Sequence, residues 1–168
     1  KYDHDKNRIN SFRMDFASGS TVEFWLKKDA FDVSKSKREV VFDLWNGQLS
    51  SSANYGRLTI EMTASAVTTD PAFRVTCQSG TTGFFDQALS TVSVATTADD
   101  AWHHYAFSFV SASGGTITTT LYKDGQYVTE SSLGTAFAIN DLTGSVTGRT
   151  KSSTSLVKSL ISLGIILS

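Results

Sequence analysis

The sequence predicts an all-β protein, a sandwich of two antiparallel sheets, and three observations carry that prediction. Apolar residues recur at every second position in several short segments. Glycine-containing turn signals separate these segments at short intervals, without helical patterns between them. The composition agrees, because 24 serines and 21 threonines stand beside a single proline. That mixture suits short strands joined by polar loops better than it suits a helical bundle.

Length and charge limit the classes of protein that fit. The 168 residues are enough for one domain with a substantial core, and the single cysteine excludes an intramolecular disulfide framework. A formal net charge of -1 provides no field that would recruit nucleic acid. No apolar stretch reaches the roughly 18 residues that would span a bilayer. We therefore expect neither nucleic-acid binding nor membrane insertion.

Four segments show the strand alternation most clearly. Residues 21–27 place valine, phenylalanine and leucine on one face and glutamate, tryptophan and lysine on the other. Residues 58–62, 73–77 and 103–109 alternate in the same way. Cys77 is in phase with the apolar residues of its segment, which predicts a buried and unreactive thiol.

Two further segments complete the strand prediction. Residues 40–45 are almost entirely apolar, which is typical of a strand covered on both faces. Residues 116–122 run into Asp124 and Gly125, and residues 127–129 return. Because Asp-Gly tolerates the positive φ angles of a type I′ turn, this pattern predicts a β-hairpin.

The hairpin and the strand before it carry a family resemblance. Trp-His-His at 102–104 and Leu-Tyr-Lys-Asp-Gly at 121–125 resemble a hairpin of laminin-G-like and pentraxin-like domains. Residues 21–27 are similar to an early strand of that family, and 144–148 stands where the family has a short strand ending in glycine. The resemblance implies a concanavalin A-like jelly roll over residues 12–150, in which two curved antiparallel sheets pack face to face.

The two ends of the chain lie outside that domain. Residues 1–11 form a polar leader. Residues 151–168 depart from the family pattern, which closes its last sheet with a strand of the form Gly-x-Ile-Asp-Glu. Eight aliphatic side chains in this segment would each forgo about 1.5–3 kcal/mol in water. We expect a closing strand in its own sandwich or an assembly arm in a neighbour's, although the spacing also fits a helix.

A narrower resemblance concerns the biological setting. Residues 20–31 and 39–45 are similar to laminin-G-like modules embedded in structural proteins of bacterial viruses. This implies a structural, assembly or adhesion module on a virion or extracellular surface, with other protein subunits or a second copy as partners. The stretch 87–122 favours that interpretation, because it contains only two charged residues and interface cores are depleted in charge. The alternative function is a lectin-like domain that binds a cell-surface glycan, with or without calcium.

Catalytic patterns are missing from the sequence. Concanavalin A-like glycoside hydrolases carry Glu-x-Asp-x-x-Glu on one strand, whereas here Glu39 and Asp43 share a strand face without a third acid. His103 and His104 are neighbours on a strand, so their side chains point to opposite faces and we interpret them as structural. We therefore expect that the protein is not an enzyme.

Loop aromatics beside glycine or polar residues are the candidate glycan site. Sugars are held by aromatic faces and by amide and carboxylate hydrogen bonds that loops present above a rigid scaffold. These criteria select Trp45, Asn54, Tyr55 and Phe85. The competing interpretation is that the aromatic side chains cap the sandwich.

The family resemblance also raises the question of a calcium site. Laminin-G-like and pentraxin-like domains often bind Ca²⁺ through loop aspartates, asparagines and backbone carbonyls. The weak candidates are Asn54, Asp86, Asp99 and Asp100. They match no contiguous ligand loop, so we assign no metal site and expect no obligatory cofactor.

Overall fold

Twelve β-strands carry the fold in the described part of the computed structural model. That part comprises residues 13–14, 16–29, 38–63, 71–89, 97, 99–113, 115–134, 142–143, 145–146 and 161–166. The strands are β1 Arg13–Met14, β2 Ser20–Lys27, β3 Arg38–Trp45, β4 Gly56–Thr63, β5 Phe73–Ser79, β6 Thr82–Ala88, β7 Trp102–Ala112, β8 Thr116–Lys123, β9 Gln126–Leu133, β10 Leu142–Thr143, β11 Ser145–Val146 and β12 Ile161–Ile166.

Ten of these strands form two five-stranded antiparallel sheets. Sheet I has the order β11-β3-β4-β5-β6, and sheet II has the order β12-β2-β7-β8-β9. The short strands β1 and β10 pair with each other. The predicted sandwich of two antiparallel sheets is confirmed. In the described residues no helix is long and apolar enough to cross a membrane.

Aromatic side chains join the two sheets in the core. Phe24 of β2 stacks on Phe107 of β7 with ring centroids 5.8 Å apart, and both belong to sheet II. Phe73 of sheet I meets Phe107 edge-on at 5.2 Å. Cys77 is fully buried, as predicted, and burial raises the pKa of its thiol, which keeps the thiol protonated.

Strand β3 corrects one expectation from the sequence. The apolar run at 40–45 predicted a strand covered on both faces, but Asp43 is half-buried and Trp45 is exposed. A bulge between Val40 and Phe42 explains the run, because the extra residue allows Val41 and Phe42 both to be buried. One face of β3 is therefore open to solvent.

The β8–β9 hairpin agrees with its sequence signal. Tyr122 pairs with Tyr127 and Lys123 with Gln126, which leaves Asp124 and Gly125 as the two turn residues. Their φ angles are 52° and 76°, as a type I′ turn requires.

Strand β12 lies at the edge of sheet II. It pairs antiparallel with β2 over six residues, with Ile161 opposite Leu26 and Ile166 opposite Thr21. In this chain, residues 161–166 are therefore extended and occupy an edge of the chain's own sandwich. The leader at 1–11 and the rest of the C-terminal segment lie outside the described residues.

Candidate functional site

The outer face of sheet I is built from polar side chains in register, and we call it the polar face. Across the strands, Trp45 lies opposite Arg57, and Arg57 lies opposite Gln78. The next row contains Asp43, Thr59 and Thr76, each on a neighbouring strand. Thr59 and Thr76 are buried although they face away from the core. The larger side chains around them therefore cover both hydroxyl groups.

A bidentate ion pair fixes one end of the polar face. Arg57 Nε lies 2.9 Å from Asp43 Oδ1, and Arg57 Nη2 lies 2.8 Å from Asp43 Oδ2. The hydrogen bonds to Asp43, and a weaker one to Tyr55, raise the pKa of Arg57. Two parallel hydrogen bonds set the orientation of both side chains, as well as their charges.

A row of four charges crosses the other end. Arg38 Nη2 and Arg74 Nη1 lie 2.7 and 3.1 Å from Asp86 Oδ2, and Arg38 Nη1 lies 3.3 Å from Glu61 Oε2. Burial alone would raise the pKa of Asp86, but the hydrogen bond from Arg38 and the charge of Arg74 hold it below its ordinary value. Asp86 is therefore an ionised acceptor at neutral pH.

The arginines of these pairs lie nearer the solvent than their partners. The arginine side chains are 31–44% exposed, whereas the carboxylates are 17–23% exposed. Guanidinium edges therefore make up much of the accessible charge, while the acids underneath neutralise it. The result is a rigid polar surface without a net charge.

Two exposed aromatic side chains flank this surface. Trp45 is 42% exposed at the end of β3, and its indole N–H donates to the carbonyl of Gln48 at 2.8 Å. Phe85 is 65% exposed on β6, so the segment expected to be a loop here is a strand. Their strands are three spacings apart in sheet I, which corresponds to about 14 Å.

The structure places the other two predicted glycan residues in the loop beside Trp45. Asn54 is exposed, and its carbonyl accepts a 2.6 Å hydrogen bond from the side chain of Asn46. Tyr55 is only 6% exposed, so its ring is not available for a sugar to stack on. Its carbonyl accepts a 2.6 Å hydrogen bond from the Gly80 N–H, which ties this loop to the turn between β5 and β6.

The four calcium candidates are not brought together. Asn54 lies in its loop and Asp86 lies between two arginines, while Asp100 contacts Lys27 at 3.1 Å. Asp99 contacts His103 at 2.8 Å. In the part of the chain that the structure describes, no cluster of three or more His, Cys, Asp or Glu side chains could hold a metal ion.

The two neighbouring histidines make different contacts on opposite faces of β7. His103 Nδ1 lies 2.6 Å from Asp124 Oδ2, and its Nε2 lies 2.8 Å from Asp99 Oδ2. Burial would lower the pKa of His103, but the two carboxylates raise it above its ordinary value. His104 lies on the other face of β7, where its ring is 5.2 Å from that of Trp25.

The comparison with known protein families identifies the fold. A family model described as the concanavalin A-like lectin/glucanases superfamily matches residues 3–162, nearly the whole chain. The chain belongs to this superfamily. The predicted jelly-roll sandwich is therefore confirmed. No curated protein sequence matches the chain.

Two solved structures of variants of the alginate lyase Aly36B are similar to this chain. The first, in complex with an alginate tetrasaccharide, is 11% identical with a TM-score of 0.45, covering 75% of this chain and 56% of the lyase chain. The second, with an alginate trisaccharide, is 10% identical with a TM-score of 0.38, covering 72% and 54%. The chain thus spans little more than half the length of these lyases, and the likeness concerns the fold alone.

The outer face of sheet II carries exposed aromatics that the sequence analysis did not select. Trp25, Trp102, Tyr122 and Tyr127 are 36–62% exposed, and we call this surface the aromatic face. The signal was present in the alternation, because Trp25 is out of phase with the buried residues of β2. A search restricted to expected loops missed these residues because the alternation had already assigned their segments to strands.

Proposed function

We propose that this domain is a non-catalytic glycan-binding module, and that its polar face holds an extended saccharide chain. The observation that carries the proposal is the placement of Trp45 and Phe85, two exposed aromatics on strands about 14 Å apart, beside the ion pairs of the polar face. Single exposed aromatics are common, but two that bracket a rigid polar strip fit a ligand with alternating apolar and polar faces.

The chemistry of the strip suits sugar hydroxyl groups. Each hydroxyl both donates and accepts hydrogen bonds, and the face offers guanidinium donors beside carboxylate acceptors, as in the Arg57–Asp43 pair. Because the ion pairs already fix these side chains, a ligand orders few of them on binding. The aromatic rings would stack on the C–H faces of the sugar rings. For an open face of this kind we expect dissociation constants of about 1 mM or somewhat below.

The same ion pairs support binding without catalysis. Glycoside hydrolysis requires one carboxyl group with a raised pKa as the acid and a second carboxylate about 5–10 Å away. The described carboxylates of the polar face, Asp43, Glu61 and Asp86, each contact an arginine, and the pKa of Asp86 is lowered. Asp86 can therefore accept hydrogen bonds from hydroxyl groups but is a poor proton donor at neutral pH.

We also propose that the domain acts as an adhesion module carried by a larger assembly, on a virion or another extracellular surface. The support is the similarity of residues 20–31 and 39–45 to laminin-G-like modules embedded in structural proteins of bacterial viruses.

Calorimetry with a glycan panel tests the first proposal. We expect Trp45→Ala and Phe85→Ala each to weaken binding of the best ligand about tenfold, or about 1.4 kcal/mol. Leu49→Ala is the matched control, because Leu49 is 75% exposed and is not part of the polar face. Undiminished binding by the Trp45→Ala, Phe85→Ala double variant would contradict the assignment. Turnover of the ligand by the wild-type protein would contradict the non-catalytic role.

A further inference from the structure

We infer that the aromatic face carries a second saccharide site, which holds a single neutral pyranose ring over Ala106, between Trp25 and Tyr122. The site lies on sheet II and uses none of the residues of the polar face, so it goes beyond the function proposed above. The inference rests on the register of three strands, on the exposure of the aromatics, and on the polar groups beside them.

The strand register surrounds Ala106 with larger side chains. Glu23 of β2 and Tyr122 of β8 are the direct neighbours of Ala106 on β7. Cross-strand neighbours have Cβ atoms about 5 Å apart, so these two larger side chains stand about 10 Å apart. His104 and Ser108 lie two residues away along β7, about 7 Å on either side. Ala106 is the smallest of these residues and forms the floor.

Aromatic rings on two sides of the floor are held in place before any ligand binds. Trp25 is 49% exposed, and its ring lies 5.2 Å from the ring of His104. The Tyr122 ring meets the ring of Tyr127 edge-on at 6.2 Å. Each ring is braced by a neighbour and still exposes part of its surface, which lowers the entropy that binding must remove.

Charged groups beside the floor favour a sugar over a protein as the occupant. Glu23 Oε2 lies 3.5 Å from His104 Nε2, and Thr120 Oγ1 lies 3.4 Å from Glu130 Oε2. A protein surface packed here would remove water from both carboxylates, at a cost that requires new partners. Sugar hydroxyls supply those partners, because they donate hydrogen bonds to the carboxylates while the ring stacks on the aromatics.

The sign of the charge selects neutral sugars. Glu23 and Glu130 are the acids near the floor, and Lys27 lies at the edge of the face with Asp100 at 3.1 Å. In the described part of this face a uronic or sulfated sugar would meet two carboxylates, whereas the cation Lys27 already contacts Asp100. With one site on each sheet, a single domain would bridge two saccharide chains.

A filling substitution tests the site. Ala106→Arg places a long side chain over the floor, and Thr118→Arg makes the same change on the same face, away from it. The probes are methyl glycosides of glucose, galactose, mannose, xylose and N-acetylglucosamine, and methyl glucuronide. Binding is followed through the Trp25 indole N–H signal by NMR. We expect at least one neutral glycoside to shift this signal, and Ala106→Arg to weaken that binding more than tenfold while Thr118→Arg leaves it unchanged.

Further variants separate this site from the polar face. The Trp45→Ala, Phe85→Ala double variant should bind the neutral glycoside as the wild type does, whatever the outcome for the polar face. Trp25→Ala gives a second test in case Ala106→Arg impairs folding, and it should also weaken binding more than tenfold. Any one of three results would overturn the inference. The first is that no glycoside of the panel shifts the Trp25 signal, and the second is that the glucuronide binds as tightly as the neutral sugars. The third is that light scattering shows a homodimer that Ala106→Arg dissociates.

Discussion

The His103 ring lies between two carboxylates at the end of the sandwich, 2.8 Å from Asp99 and 2.6 Å from Asp124. Its folded pKa is raised above the ordinary value of about 6.5, so its contribution to stability is complete below about pH 6.5 and is lost as the pH rises through the folded pKa. Asp99 and Asp124 have lowered pKa values, and their contributions are lost only as the pH falls below about 3.9. The Lys123 charge opposes protonation of the ring.

Thermal unfolding between pH 5 and pH 9 measures this effect. We expect the Tm of the wild type to fall as the pH rises above about 6.5. In His103→Gln this decrease of Tm with pH should be absent. His104→Gln is the matched control, since His104 lies on the other face of the strand near Glu23. An unchanged slope in His103→Gln would show that another group is responsible.

A buried lysine gives a second prediction at the scale of single residues. Lys28 is 1% exposed, and its ammonium group lies 3.0 Å from Glu39. Glu39→Gln removes a carboxylate charge that lies 3.0 Å from a buried cation, so we expect a loss of about 3 kcal/mol in the free energy of unfolding. Glu61→Gln is the control because its partner Arg38 is 44% exposed, and it should cost less than about 1 kcal/mol. Urea denaturation distinguishes the two, and equal losses would contradict the prediction.

At the scale of elements, the turn between β5 and β6 holds the loop that supports the polar face. The Gly80 N–H donates to the carbonyl of Tyr55 at 2.6 Å, and the φ of Gly80 is 58°. A Cβ atom there would lie 2.6 Å from the carbonyl oxygen of Ala53, whereas at Gly47, with φ of 80°, it would meet nothing within 4 Å. Both substitutions by alanine carry a left-handed strain of about 1–2 kcal/mol, but only Gly80→Ala also displaces backbone.

We therefore expect Gly80→Ala to lower the free energy of unfolding by about 3 kcal/mol or more, and Gly47→Ala by about 1–2 kcal/mol. Because the same loop holds the Trp45 indole through the carbonyl of Gln48, Gly80→Ala should also weaken glycan binding at the polar face. Denaturant titration and calorimetry measure the two effects. Similar losses of stability for both variants would show that the Gly80 turn does not hold the loop.

The same elements show which features could be read from the sequence. The β8–β9 hairpin was predictable because its turn chemistry is local, with Asp124 and Gly125 both at positive φ. The exposure of Asp43 on β3 was not, because the bulge at Val41 depends on pairing with β4. Tyr55 was predicted as a loop aromatic, but it is buried in a loop that is tied to the distant turn at Gly80.

At the scale of the whole molecule, alternation predicted two sheets, whereas both candidate sites depend on the register between strands. The polar face forms only when Asp43, Thr59 and Thr76 align across three strands of sheet I. Ala106 becomes a floor only when it is flanked by Glu23 and Tyr122. Periodicity predicts which residues of a strand face the core and which face solvent. It does not predict which residues of the adjacent strands lie beside them, because strand register depends on contacts distant in sequence. The exposure of an aromatic such as Trp45 could be predicted from the sequence, because it depends on the alternation within one strand.

The edge of sheet II gives the last prediction, because β12 is joined to β2 by six residue pairs at the far end of the chain. Deletion of residues 155–168 removes this strand and leaves the β2 edge with unpaired backbone groups. We expect a lower Tm and concentration-dependent aggregation, measured by thermal unfolding and light scattering. Removal of residues 167 and 168 alone spares β12 and should leave both unchanged. A soluble monomer that melts as the full chain does, after the longer deletion, would show that β12 does not close the sandwich.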